Sequence, residues 1–184
     1  MATRKRPRLS SSKDSPVSSK AKQPDMDQKD KLLSEFTWNL VAINVYLEDI
    51  RRIWASALGV SGPQWLILMA ISDLDTGAGI SVGQVSTKIH ASSTFVAMQS
   101  KSLENSGFLA RAVSPNDARV VLMSLTEKSR TEIAKLSLLR TNLRDNIFAD
   151  MTDRTLKEMT ETMTLMRRRI EKAALQLDLD NARI

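Results

Sequence analysis

Two apolar seams of the same period lie at opposite ends of this chain, and they constrain its fold more than any other feature. Leu33, Phe36, Leu40, Ile43, Leu47, Ile50 and Trp54 step by 3, 4, 3, 4, 3, 4, and Leu156, Met159, Met163, Met166, Ile170, Ala173 and Leu177 do the same. That repeat is a helical stripe aligned to pack along another long helix. The two seams can be buried on each other within one chain, or against a second copy. A stripe this broad exceeds what a small core needs, so the homodimer is the favoured reading.

Between the seams the pattern is shorter and punctuated. Gly59 is placed to cap the first helix. Ser61-Gly62-Pro63-Gln64 reads as a capping box with proline in the first helical turn, opening a helix to about Leu74. Asp75-Thr76-Gly77-Ala78-Gly79 is a loop. Ser81-Val82-Gly83-Gln84 repeats the capping box and starts a short helix over about 82–89. His90-Ala91 is a tight turn, Ser92 caps a further helix to Ser106, and Gly107 stops it. Two short helices so joined are a helix-turn-helix.

After Gly107 the period changes to two. Phe108–Val113 and Arg119–Leu125 read as strands around the turn residues Ser114-Pro115-Asn116-Asp117-Ala118. Thr126 then caps a helix over about 127–149, and Thr152 caps the last one. The expected fold is mainly α with a small β-hairpin, a winged helix-turn-helix over 61–125. Helical dimerisation segments at 31–60 and 126–180 flank it, behind a disordered basic tail over 1–30.

The charge sits mainly in that tail. Residues 1–24 hold seven basic residues, Arg4, Lys5, Arg6, Arg8, Lys13, Lys20 and Lys22, against Asp14, which accounts for the whole net charge of +6. Polar and charged, this segment buries too little apolar surface to offset its ordering entropy. Its Arg4–Arg8 run either contacts phosphates or is a solvated tail. In the body, residues 81–130 concentrate Lys88, Lys101, Arg111, Arg119, Lys128 and Arg130 against Glu104, Asp117 and Glu127, a local excess of +3. Positive charge thus gathers where phosphate contacts would lie.

Several chemistries are excluded. The chain has no cysteine and one histidine, His90, so thiol catalysis, disulfides and Cys or His metal clusters lack their ligands. There is no Gly-rich phosphate loop, paired-His motif or nucleophile elbow. The expectation is no enzyme and no cofactor. No apolar run reaches the roughly 20 residues of a membrane span, and the basic start has no apolar stretch behind it. A soluble, cytoplasmic protein is the simplest reading.

The run Pro115-Asn116-Asp117-Ala118-Arg119-Val120-Val121-Leu122-Met123-Ser124-Leu125-Thr126 resembles the wing of the MarR family of transcription regulators. It has an acidic residue and an arginine two apart at the tip, then an apolar strand and Leu-Thr. Ser61–Trp65 is similar to the start of that family's second helix, and the order of elements over about 32–175 follows the family. The resemblance implies a homodimer with one recognition helix per subunit in consecutive major grooves and wings on the flanking minor grooves. It also implies a pseudo-palindromic operator on double-stranded DNA, and repression relieved by a small phenolic or aromatic acid.

On that reading the DNA-binding residues are Ser92, Ser93 and Thr94 at the N-terminal end of the recognition helix, Met98 and Lys101 along it, and Arg119 at the wing tip. Asp117 supports the wing. The recognition helix departs from the family in lacking exposed arginines. Gln99 and Ser100 stand where core residues are usual, and Ser129 replaces a frequent glycine, which is compatible with a continuous helix. Trp38 and Trp65, with Arg51 as counter-charge, are the candidate ligand-binding residues; Trp54 and Trp65 also fit a core role. His90 reads as a packed turn residue or a phosphate donor, and the methionines of the last seam as core packing. The alternative to a DNA-binding regulator is a dimeric winged-helix interaction module with weak or no specific DNA binding.

Overall fold

The computed structural model describes residues 28–181. Residues 1–27, which hold most of the expected basic tail, lie outside the described residues. The helices are α1 (Gln28–Leu58), α2 (Gly62–Leu74), α3 (Val82–Ile89), α4 (Ser93–Asn105), α5 (Glu127–Lys135), α6 (Ser137–Ile147) and α7 (Asp153–Asn181), and the strands are β1 (Ile80–Ser81), β2 (Leu109–Val113) and β3 (Val121–Leu125). The chain divides into two compact units, residues 1–47 and 48–184.

The first unit contributes the N-terminal part of α1, which starts at Gln28, three residues inside the segment expected as tail. Most of its seam is exposed: Leu33, Phe36, Ile43 and Leu47 are 43–54 % exposed.

The second unit holds the core. Both predicted capping boxes form: Gln64 N–H donates to the Ser61 hydroxyl, Ser61 N–H to the Gln64 side chain, and the Ser81–Gln84 pair repeats this. Each box satisfies two backbone donors that a helix start otherwise leaves unpaired. α2 is apolar nearly all round and buries Trp65, Ile67, Leu68, Ala70 and Ile71. Against it pack Val85 of α3, Val96 and Leu103 of α4, and Phe108, Leu109, Met123 and Leu125 of the wing. Each of these large side chains contributes about 1.5–3 kcal/mol by leaving water.

The expected hairpin forms with Leu109 opposite Leu125, Arg111 opposite Met123 and Val113 opposite Val121. A third strand joins it, β1, which pairs antiparallel to β3 through Ile80 and Met123. Gly79 makes this possible. Its φ is +78°, and a Cβ there would stand 3.1 Å from Ser124 Oγ and 3.2 Å from Leu122 Cβ. Only glycine both adopts that conformation readily and lets β3 approach so closely.

The single helix expected over 127–149 is interrupted. Leu136 N–H donates to Ile133 O at 3.1 Å, a tightened turn that ends α5 before α6 begins. The methionines of the last seam are not core either: α7 buries no described residue. Met159 and Met163, 42 % and 36 % exposed, line an open hollow of about 370 Å³ with Phe148, Met151 and Leu156. Among the described residues, no single helix is long and apolar enough to cross a membrane.

Candidate nucleic-acid interface

α3 and α4 are joined by three residues, and the turn is held from several sides. His90 adopts the left-handed conformation, with φ 54°. The N–H groups of His90 and Ala91 both donate to Ser86 O, and the Ser86 hydroxyl donates to Ala91 O. His90 is therefore an exposed turn residue whose backbone sets the angle between the two helices, rather than a packed one.

α4 presents two distinct faces. Val96, Ser100 and Leu103 are fully buried. At about 100° per residue, Met98 points nearly opposite that buried line, with Thr94 and Lys101 beside it. All three are exposed, Met98 by 60 %. Ser100 fits in the core because its hydroxyl donates to Ala97 O at 3.0 Å. A serine thus replaces an apolar residue there without leaving a buried polar group unpaired.

The hydroxyls at the start of α4 are not equally free. Ser92 Oγ accepts the Phe95 N–H at 3.2 Å as the helix cap, and Ser93 Oγ lies 3.3 Å from Ser86 Oγ. Thr94 has no such engagement among the described residues. The backbone N–H groups of Ser93 and Thr94 complete a helix end with partial positive charge, suited to phosphate.

The far end of α4 is tied down by contacts that local sequence patterns do not reveal. Gly107, at φ +77°, closes the helix, and Phe108 N–H donates back to Leu103 O at 2.8 Å. Two residues of α5 and its N-cap then grip the carbonyls of that turn: Lys128 Nζ donates to Ser106 O at 2.8 Å, Thr126 Oγ1 to Gly107 O at 2.8 Å, and Ser129 Oγ to Phe108 O. Ser129 is fully buried, so the position expected to be indifferent is a latch between α5 and the end of α4. From the first turn of α2, Gln64 Nε2 donates to Ser102 Oγ at 3.2 Å, a second tie that holds α4.

The wing tip is ordered by Asp117, whose Oδ1 accepts the Arg119 N–H at 2.9 Å. Ser114 N–H donates to Val120 O at 2.8 Å, closing the loop. Asp117 thus holds the backbone of the turn, not the guanidinium, which has no ion pair among the described residues.

The six cations counted over 81–130 separate into two groups. Lys88 pairs with Asp73, Arg111 reaches Glu104 at 3.5 Å, and Lys128 sits 4.2 Å over the Phe108 ring while bonding Ser106 O. Lys101, Arg119 and Arg130 are exposed and make no ion pair with a described residue. These three are the cations of the segment left without a described side-chain or ring partner.

The candidate ligand residues occupy unlike settings. Trp65 is 4 % exposed in the core, with the Arg140 guanidinium 5.7 Å from its ring. Trp38 is 69 % exposed. Arg51 pairs with Glu48 one helical turn away. Among the described residues no group of three or more His, Cys, Asp or Glu side chains is placed to hold a metal ion.

Residues 60–121 match the model of the MarR family. No curated protein matches the chain. Solved structures share its fold. AbsC, a MarR family transcriptional regulator from Streptomyces coelicolor, is 16 % identical with a TM-score of 0.65, covering 80 % of this chain and 97 % of its own. The S. aureus MepR–DNA complex is 11 % identical at TM-score 0.63, covering 73 % and 96 %. A MarR transcriptional regulator from Methanosarcina mazei Go1 is 20 % identical at TM-score 0.58, covering 75 % and 98 %.

Proposed function

We propose that this chain, whose residues 60–121 match the MarR family model and whose fold is that of solved MarR transcriptional regulators, is a ligand-responsive repressor that binds a pseudo-palindromic operator on double-stranded DNA as a homodimer. The observation that carries the reading is the pair of exposed basic positions that make no ion pair with a described residue, Lys101 on α4 and Arg119 at the wing tip, together with the exposed N-terminal end of α4 and its exposed Thr94 and Met98. The likeness of its fold to that of S. aureus MepR, solved as a complex with DNA, supports it. On this reading α4 enters a major groove through Ser92, Ser93, Thr94, Met98 and Lys101, and Arg119 enters the flanking minor groove, where A·T tracts concentrate negative potential. The open seams of α1 and α7 supply the dimer interface, and two copies of α4 then stand about one helical repeat apart. A phenolic or aromatic acid remains the proposed effector, with Trp38, Trp65 and Arg51 as its candidate contacts and the cytoplasm as the place of action.

The test is a salt series with duplex DNA from the region upstream of the chain's own coding sequence. Specific binding should weaken steeply as salt rises, because each neutralised phosphate releases counterions. Arg119→Ala should lower affinity for all sequences and reduce the salt slope by about 1, whereas Thr94→Ala should change preference at one base step. One observation favours a second reading, a dimeric winged-helix protein-interaction module: Lys101 is the one cation on α4. Absence of measurable binding to any duplex would replace the regulator with that module.

A further inference from the structure

We propose that α4 reads the 5-methyl groups of thymine rather than the polar edges of guanine, with Met98 as the specificity-determining side chain; this rests on the DNA-binding reading above. Within residues 61–125 the large apolar side chains are sealed, and among the described residues there only Met98 and Val113, 60 % and 61 % exposed, are left open. One lies on the recognition helix and the other at the end of a wing strand. The most exposed large apolar side chains of the segment thus lie on the two elements that would meet a duplex.

The polar alternatives on α4 are few. Over Ser93–Lys101 the exposed residues are Ser93, Thr94, Met98 and Lys101. Ser93 is bonded to Ser86, and Ser102, on the next turn, accepts from Gln64. Bidentate recognition of guanine takes Arg or Lys, and of adenine Asn or Gln. Only Lys101 qualifies on this face, and it lies near the end of the stretch. Thr94 and Met98 instead offer a methyl group each, and the unbranched thioether of methionine adapts to an apolar neighbour. From Thr94 to Lys101 the helix rises about 10 Å, close to three base-pair steps. The face so arranged prefers A·T pairs over the first two steps, and leaves the third, at Lys101, to a guanine edge or a phosphate.

The experiment uses the full chain and a duplex enriched by it from a random-sequence library. Each thymine of that duplex is replaced in turn by uracil, which removes the 5-methyl group and preserves every hydrogen-bonding edge. Replacement at the positions facing α4 should weaken binding about three- to fivefold per methyl, the scale of one buried methyl group. Met98→Ala, a change at an exposed position that leaves the core intact, should bind the thymine duplex more weakly and no longer distinguish thymine from uracil at the step that Met98 faces. Equal affinity of the wild-type chain for both duplexes, with specific binding retained, would overturn the methyl reading while leaving the regulator standing. Undiminished discrimination by Met98→Ala would overturn the assignment to Met98. Failure to enrich any sequence would overturn the DNA-binding reading itself.

Discussion

In residues 61–125, Ile67, Leu68, Ile71, Val85, Val96, Leu103 and Met123 are fully buried, whereas Leu33, Phe36, Ile43 and Leu47 of α1 are 43–54 % exposed and α6 and α7 bury no described residue. The first region completes its core within one protomer. Each of its helix starts is capped and each apolar stripe meets another. The terminal helices carry as clear a stripe and leave much of it exposed. Isolated exposed apolar residues are ordinary on a protein surface, but a contiguous stripe of them marks a surface that a partner covers. Apolar periodicity alone therefore does not say where a side chain is buried; it says which side chains must be buried together.

The sharpest way to break this contrast is to cut a side chain from each region. Ile71→Ala should destabilise the fold by about 2–5 kcal/mol, the range for a large residue removed from a packed core. Chemical denaturation should show the same loss at every protein concentration. Ile43→Asp should do the reverse. In the proposed homodimer it removes an apolar contact from each copy of a twofold interface, and should weaken self-association by about two to three orders of magnitude in sedimentation equilibrium. The stability of the wild-type chain should rise with its concentration, and that dependence should vanish in the variant. A wild-type chain that stayed single at working concentrations would end the claim that the open stripes await a second copy.

A smaller effect sharpens the account of the sealed region. His90 holds a positive φ of 54° at the turn between α3 and α4. A β-branched residue is strained there, so His90→Val should cost about 1–2 kcal/mol in stability. His90→Gly should leave it unchanged or raise it, measured by thermal unfolding. Equal behaviour of the two variants would mean that the turn, and the angle it sets for α4, does not depend on that conformation.

Much of the winged segment was legible because its determinants are local. Ser61 with Gln64, Ser81 with Gln84, Ser92 with Phe95 and Thr126 with Ser129 are pairs three residues apart, and each forms as its spacing predicts. Asp117 and Arg119, two apart, order the wing tip. β1 was missed because two residues carry no alternation to recognise, and its pairing with β3 joins Ile80 to a partner at Met123. The break at Leu136 was missed for a related reason: the stripe through Ile133, Leu136 and Leu139 continues in phase across it. Ser129 looked neutral because its bond to Phe108 O spans 21 residues.

The candidate interface divides in the same way. The exposed face of α4, with Thr94, Met98 and Lys101 in line, follows from helical phase and needs no coordinates. Which cations remain free on its surroundings does not. Arg111 and Lys128 are spent on Glu104 and on the turn after α4, while Arg119 and Arg130 are not. By itself the sequence determined most of the helices, their caps, the wing and the phase of α4, because those depend on residues within about one turn of each other. Only the tertiary structure decided the third strand, the latch on Phe108 and the partners of each charge. Such contacts depend on which distant segments the packed core brings within bonding distance.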